Sequence, residues 1–563
     1  MAKIHSIHIE NFRGIKKLDQ TFLNKQFIVL IGRGDSGKTT ILNAISYVLS
    51  PNWNINISDF DFYNSDITKN IVIEVAVGDL PNDLLTEQKF GHYINLLKGD
   101  TITSDIDDDD ADQENPILRI RLTIDSTLEP KWVVCSGRDI GDIAISASDR
   151  AKLNTFFISD YIDKHFTYSK GSPLYTLLRQ QLDDKTITDK KLTQVVRESY
   201  EVIKQSNTFS EFDAASIQIL DTAKKLGLTI SELKTLLEFK ENAYTESNIT
   251  LHSQDRPYRL YGKGSKRLLS IAIQQSLIGD GGIMLVDEIE QGLESDRVRN
   301  LTRLLCKNGT GQIFITTHSK DVVLEPEITS IYLKRNDSET LYTFPDNFQG
   351  IMRGQPAAFF AKRIICCEGA TEEGIIRAIS DSIQEKRGFG IAVLGIVHID
   401  CGGGDKFYEQ ALKFSSAKYD TMVFCDDDNR DIDKSKEKAL RKGIKVVLCD
   451  EGKSIEQQLF NDLPWQGVCD LIDYAIREHG DNVLQNSGYN DIDEIKNLNE
   501  EEQVNARIYF GEKAKTANHS WFKRIHHGEA IGQLWIKYYN ELNQESTLKK
   551  EYDEIIKWIG NEF

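Results

Sequence analysis

The run Gly32-Arg33-Gly34-Asp35-Ser36-Gly37-Lys38-Thr39 satisfies the pattern G-x-x-x-x-G-K-[ST] in full. Glycines at this spacing let backbone N–H groups turn inward around phosphate oxygens, and a helix that opens at the lysine adds the partial positive charge of its N-terminus. Lys38 would then reach the β- and γ-phosphates of ATP, and Thr39 would hold Mg²⁺. Gly32, Gly34, Asp35, Ser36, Gly37, Lys38, Thr39 and Thr40 are the candidate nucleotide-binding residues. Further on, Ile283-Met284-Leu285-Val286-Asp287-Glu288 is an apolar run ending in two acids, with Asp287 suited to Mg²⁺ and Glu288 to activating the attacking water. The run Ile313-Phe314-Ile315-Thr316-Thr317-His318 ends in a histidine that would contact the γ-phosphate. Between the phosphate loop and the acidic run, Tyr261-Gly262-Lys263-Gly264-Ser265-Lys266-Arg267 sets a glycine pair, Gly262 and Gly264, at the start of a helix.

A second set of acids follows apolar runs later in the chain. Glu368-Gly369-Ala370-Thr371-Glu372-Glu373 follows Arg363–Cys367, Asp426-Asp427-Asp428 follows Thr421–Cys425, and Glu456 lies on a helix start after Val446–Cys449. The ends of parallel strands are where an α/β sheet builds its site, so these carboxylates can converge. Asp426 and Asp428 are two apart and share a face in extended chain. Gathered carboxylates cannot all stay ionised without cations, and hard divalent ions bound through oxygen are the natural partner. Two such ions about 4 Å apart stabilise both the attacking and the leaving oxygen of a phosphodiester. Asp427, Glu373 and Asp431 read as solvated acids. Lys523, within Trp521-Phe522-Lys523-Arg524-Ile525-His526-His527, could stabilise charge developing on a scissile phosphate.

These residues require particular elements. Strands are expected over 4–9, 26–31, 71–77, 117–124, 283–287 and 312–317, a helix from Thr39, and a hairpin within 330–344. From about Asp149 to Ser247 the spacing of Leu and Ile turns helical, without sustained heptads. Glycine and proline around 350–356 mark a boundary. Beyond it, 363–368, 391–400, 421–426 and 445–449 are near-continuous apolar runs, suited to a parallel sheet covered on both faces. The acidic segment Asp105–Glu114 reads as a solvated loop tip. Formal charge is −19, which argues against a protein that coats DNA with a uniformly basic surface and makes a local basic channel necessary. Lys434, Arg441, Lys442 and Lys523 are candidates for it. The eight cysteines form no CxxC pair and no zinc spacing, so small buried side chains are expected. No signal peptide and no spanning apolar run is evident, giving a cytoplasmic protein without a membrane partner.

Taken together, residues 1–345 resemble the ABC-type ATPase heads of the RecF and structural-maintenance-of-chromosomes kind, with Ile7-His8-Ile9-Glu10-Asn11-Phe12-Arg13 similar to their first strand. In that group the signature loop of one subunit completes the nucleotide site of another. This chain departs from the usual Leu-Ser-Gly-Gly-Gln, with Tyr261 where the serine would be. Residues 357–563, most specifically 363–460, resemble a TOPRIM domain, the fold shared by topoisomerases, DnaG-type primases and certain nucleases. Matched position by position, Glu368 resembles the glutamate that serves as general acid/base or metal ligand, and Glu372 would assist it. Asp426 and Asp428 would hold metal, and Glu456 would complete a second metal position. Gly402-Gly403-Gly404 resembles a glycine turn near the site. Missing zinc modules and a missing strand-passage tyrosine disfavour topoisomerase and primase.

A head of this kind followed by a TOPRIM domain resembles the overcoming-lysogenization-defect (OLD) family of ATP-dependent nucleases. The resemblance implies an α/β fold: an ATPase head in two parts (1–148 and 248–350), a helical insertion at 149–247 that carries dimer contacts, and a TOPRIM nuclease domain at 357–563 with a parallel sheet. It implies ATP, Mg²⁺ or Mn²⁺ as cofactors, DNA as substrate and a homo-oligomer, dimer or tetramer. It further implies anti-phage defence, with a helicase or a retron (reverse transcriptase and msDNA) as possible partners. The expected function is an ATP-binding and ATP-hydrolysing, metal-dependent DNA endonuclease whose ATP state governs access to the TOPRIM metals. The rival is an ATP-dependent DNA-structure sensor or recombination ATPase whose second half only binds a partner.

Overall fold

Period-two alternation along Lys3–Phe12, Ile71–Gly78 and Asn115–Ile124 makes these segments strands with one apolar face. They pair antiparallel, with Ile7 opposite Val75 and Ile9 opposite Ile73, at the centre of an eight-stranded sheet. The apolar face packs on the helix Lys38–Val48, whose Ile41, Leu42, Ile45 and Val48 share its core. The computed structural model describes the chain except residues 1, 23–24, 100, 105–114, 160–161, 169–171, 182–206, 238–248, 279–280, 309–310, 337, 405, 428–432, 517–520 and 561–563. The expected acidic loop tip, much of the expected insertion, and Asp428 and Asp431 therefore lie outside the described residues. Two compact units result, Met1–Gln349 and Gly350–Phe563.

A second sheet of the first unit carries the phosphate loop. Its order is Thr155–Ile158, Ile283–Val286, Gln312–Thr316, Phe27–Ile31, Ile331–Leu333 and Tyr342–Thr343, parallel except for the last strand. Every residue of Phe27–Ile31, Ile283–Val286 and Gln312–Thr316 is buried, as a parallel sheet covered on both faces demands. The buried Gln312 ties the two sheets together: its Oε1 accepts from Ile4 N at 2.7 Å, and its Nε2 donates to Ile4 O and Lys25 O, each at 2.9 Å.

The segment expected as helical from 149 departs from that reading. Its early part, Thr155–Ile158, is the edge strand beside Ile283–Val286, and Lys234–Leu237 pairs antiparallel with Ile249–Ser253. The helices Pro173–Gln181 and Asp213–Lys225 lie between these strands in the chain. A short β-branched and aromatic run, Thr-Phe-Phe-Ile, finds its partner only because a sheet edge is open to it. Helical periodicity nearby cannot report that edge.

In the second unit four parallel strands run in the order Ile396–Asp400, Arg363–Cys367, Asp420–Cys425, Lys445–Leu448. The strand expected over 391–400 is shorter. Ile391–Leu394 is a 3₁₀ turn stopped by left-handed Gly395, and the strand begins at Ile396. The helix Ala370–Arg387 packs closely on Ile525–Tyr538. A Cβ on Gly374 would stand 2.2 Å from Ile525 O, and one on Gly528 would stand 2.2 Å from Thr371 O. All eight cysteines are free, seven of them buried and Cys306 partly so. Among the described residues no helix is long and apolar enough to cross a membrane.

Candidate functional site: a phosphate loop and a carboxylate cluster

Gly37 caps the helix Lys38–Val48 at φ 94°, with no side-chain cap and no acid in the first turn. Its terminal N–H groups are thereby left for an external anion. Gly32 is required by crowding, since a Cβ there would stand 2.5 Å from Lys334 O. Lys38 is buried and donates to the carbonyls of Gly32 (3.1 Å) and Arg33 (2.8 Å), inside the loop it serves. Burial lowers its pKa to about 8, while Asp287, Glu288, Glu290 and Asp35 act in the opposite direction.

Asp287 ends its strand facing this loop. Its Oδ1 accepts from Thr39 Oγ1 at 2.9 Å and from Thr316 Oγ1 at 2.6 Å. The two expected Mg²⁺ positions, Thr39 and Asp287, are thus brought together from opposite ends of the head. Glu288 takes a left-handed φ of 47°. Its N–H donates to Thr316 Oγ1 at 2.7 Å, and its carbonyl accepts from Arg267 at 3.0 Å. His318 keeps much of its surface exposed, its N–H donates to Glu290 Oε1 at 2.7 Å, and partial desolvation of the ring, then Lys38, lowers its pKa. Thr316 and Glu290 were not among the expected residues. Their only sequence signal is position, one inside the histidine strand and one two residues past Glu288.

The glycine pair divides into two cases. Gly262 has open space around its missing side chain, whereas a Cβ on Gly264 would stand 2.2 Å from Gly292 O in the same subunit. Tyr261 stacks on Tyr258 (4.6 Å, 9°), lies under the Arg256 guanidinium at 4.9 Å, and donates to Ser253 O at 3.3 Å. Its hydroxyl is engaged within its own loop.

In the second unit the carboxylates meet at the C-terminal ends of adjacent strands. Asp426 N donates to Glu368 Oε2 at 3.1 Å, and Asp426 Oδ1 accepts from Ile455 N at 2.7 Å, next to Glu456. Glu372 Oε2 accepts from Gly369 N at 2.9 Å. Glu372, Asp426 and Glu456 are buried. Neither oxygen of Glu456 takes part in a directional hydrogen bond among the described residues, and the Lys523 ammonium at 3.1 Å is its ion-pair partner. Burial, then Glu372, Glu456 and Glu368, push the Asp426 carboxyl well above its ordinary range. Burial, then Glu456 and Glu368, raise Glu372 to about 7. Desolvation opposes the charge of Lys523, yet Glu456, Asp426 and Glu372 raise its pKa above the ordinary value. This donor set carries more negative charge than Lys523 offsets, so it fits divalent cations.

Lys523 is held from behind. Thr371 Oγ1 donates to Phe522 O at 2.8 Å, so the helix that begins beside Glu372 also anchors the lysine. Of the acids read as solvated, Asp427 pairs with Lys436 at 2.7 Å and Glu373 with His398 at 3.2 Å. Gly402, Gly403 and Gly404 are all left-handed, and Gly403 N donates to Glu368 O at 2.8 Å. Glu551 was missed. It is buried at the face of Thr547–Ile559 that also carries Leu548, Tyr552 and Ile555, beside Cys449, whose Sγ lies 4.0 Å from Asp426 Oδ1. An acid on an otherwise apolar stripe was the available signal.

The two sites and the sheets that carry them define a class: a nucleotide-binding ATPase head joined to a TOPRIM domain. Residues 27–325, more than half of the chain, match the family described as "AAA domain, putative AbiEii toxin, Type IV TA system". Residues 359–428 match "Overcoming lysogenization defect protein-like, TOPRIM domain". The chain belongs to that AAA-domain family and, with its OLD-like TOPRIM domain, is an ATPase–TOPRIM fusion of the OLD family of ATP-dependent nucleases. Among solved structures, it is similar to the Smc head domain of Pyrococcus furiosus bound to the C-terminal domain of ScpA (15% identity, 62% of this chain and 99% of that one, TM-score 0.38). It is also similar to the SMC head of Thermotoga maritima (12%, 61% and 98%, TM-score 0.29). A third is the recombination mediator protein RecF of the RecFOR pathway (13%, 61% and 98%, TM-score 0.35). No curated protein matches the chain.

Proposed function

We propose that this chain is an ATP-binding and ATP-hydrolysing, divalent-metal-dependent DNA endonuclease of bacterial anti-phage defence, in which the ATP state governs cleavage. The observation that carries the reading is the meeting of Glu368, Glu372, Asp426 and Glu456 around Lys523. A partner-binding module has no need of so many buried acids at strand ends, which is what disfavours the sensor alternative.

In this reading Glu368, Asp426 and Glu456, aided by Glu372 and joined by Asp428, two residues past Asp426 in the sequence, would hold Mg²⁺ or Mn²⁺. Such ions supply Lewis-acid stabilisation of the attacking and leaving oxygens of a phosphodiester. Glu368 takes the proton of the attacking water. Lys523, half-exposed while Glu456 is fully buried, turns its ammonium to the scissile phosphate. The exposed Lys434, Lys438, Arg441 and Lys442 track the DNA backbone and supply the local positive charge that the net −19 withholds elsewhere.

In the head, the helix N-terminus and Lys38 bind the ATP phosphates, Thr39 and Asp287 hold the nucleotide's Mg²⁺, Glu288 orients water and His318 contacts the γ-phosphate. The Gly262 and Gly264 loop faces the nucleotide of a second copy, so the working form is a homodimer or tetramer in the cytoplasm. Because Tyr261 spends its hydroxyl inside its own loop, ATP acts as a regulatory ligand more than as fuel for a motor. A helicase or a retron is the kind of partner that would present the DNA.

The test is nicking and linearisation of supercoiled plasmid with Mg²⁺ or Mn²⁺, with and without ATP, for wild type and Asp426→Ala. Metal-dependent cutting that the variant loses by at least about a hundredfold supports the reading. Cutting that Asp426→Ala retains sinks it.

A further inference from the structure

We propose that Glu478, His526 and His527 form a further metal site, for a zinc-class ion, that clamps the segment carrying Lys523. Among the described residues this is the trio whose ligand atoms all lie within 4.8 Å of one another. Glu478 stands in the last turn of Trp465–His479, and the two histidines stand in the first turn of Ile525–Tyr538. The site therefore joins two helices that are separate in the chain.

His527 is 4% exposed. Its Nε2 stands 3.6 Å from Glu478 Oε2, too long for a hydrogen bond. That separation is close to the roughly 3.4 Å between two ligands of a tetrahedral zinc ion with bonds of about 2.1 Å. The His526 ring centroid lies 4.1 Å away at an interplanar angle of 64°, so the imidazoles converge without stacking. His526 and Glu478 are exposed, which gives the ion a path in and room for a water ligand.

Two imidazoles and one carboxylate favour Zn²⁺ and its late-transition neighbours over the hard ions suited to the carboxylate cluster. Burial lowers the pKa of His527, helped by His526, His479 and Arg524 and opposed by Glu478, in the direction of the neutral ring that ligation requires. His479 is hydrogen-bonded to Trp521 O at 2.8 Å, and Thr371 holds Phe522 O. An ion on His526 and His527 would add a third tie, on the other side of Lys523. The inference concerns binding alone and does not rest on the nuclease reading.

The test uses full-length protein carrying Asp426→Asn to weaken the carboxylate cluster, stripped with chelator and titrated with Co²⁺ as the spectroscopic probe. The expected result is one Co²⁺ per chain with visible d–d absorption, displaced by Zn²⁺. Adding His526→Ala or Glu478→Gln, both at exposed positions and with folding checked by circular dichroism, should weaken that binding more than about tenfold. Absence of the absorption in folded protein, or its survival unchanged in both variants, overturns the proposal. Absorption seen in wild type but lost with Asp426→Asn alone assigns the ion to the carboxylate cluster and overturns it equally.

Discussion

Lys38 and Glu372 are displaced in protonation in opposite senses, and both displacements have consequences in solution. Burial brings Lys38 down to about 8, and ATP phosphates require its ammonium form. ATP affinity should therefore fall as pH rises through about 8, read by nucleotide titration between pH 7 and 9. An affinity that is level across that range would remove Lys38 from the phosphate contact. Glu372 rises from 4.5 to about 7, so the folded state binds its proton more tightly than the unfolded chain does. Its contribution to stability is present below pH 4.5 and lost as pH climbs to about 7, on the order of a few kcal/mol. Urea unfolding of metal-free protein should show this loss, and Glu372→Gln should flatten it. Mn²⁺ competes with the same proton, so its affinity should increase across that window. A pH-independent Mn²⁺ affinity would contradict the assignment of Glu372 to the cluster.

At the scale of elements, the packing of Ala370–Arg387 on Ile525–Tyr538 links the carboxylates to Lys523. It depends on glycine at the crossing, because the Gly528 side-chain position lies 2.2 Å from Thr371 O. Thr371 is also the residue that holds Phe522. Gly528→Val should push these helices apart at a cost of about 1–3 kcal/mol, measured by urea unfolding, and should lower metal-dependent cleavage. ATP binding should stay as in wild type, since the phosphate loop belongs to the other unit. Full cleavage activity in Gly528→Val would show that Lys523 does not depend on this crossing.

At the scale of the molecule, each unit has its own hydrophobic core. One is centred on Ile9, Ile45, Ile73 and Phe314, the other on Ile365, Phe424, Phe510 and Trp535. Calorimetry should accordingly resolve two unfolding transitions. ATP at a hundred times its Kd should stabilise chiefly the first unit, by about 2.7 kcal/mol, and Mn²⁺ chiefly the second. A single transition raised equally by either ligand would mean that the units unfold as one.

The chemistry of the phosphate loop was legible because it is local. Residues 32–39 are contiguous, and a strand before them and a helix after them are written in short-range hydropathy. The parallel strands of the second unit were legible for the same reason, as runs of buried residues. The strand Thr155–Ile158 was not, because its pairing depends on an edge supplied by Ile283–Val286. Asp426 and Asp428 could be given a common face by spacing alone, but the pairing of Glu456 with Lys523 joins residues far apart in the chain. Nor could sequence separate Gly262 from Gly264, alike in type and distinguished only by the carbonyl of Gly292. Sequence by itself determined which residue types could do chemistry and which elements would carry them. Tertiary structure alone decided which of those residues meet, because burial, mutual repulsion among carboxylates and close helix approach arise between segments whose separation along the chain encodes no distance.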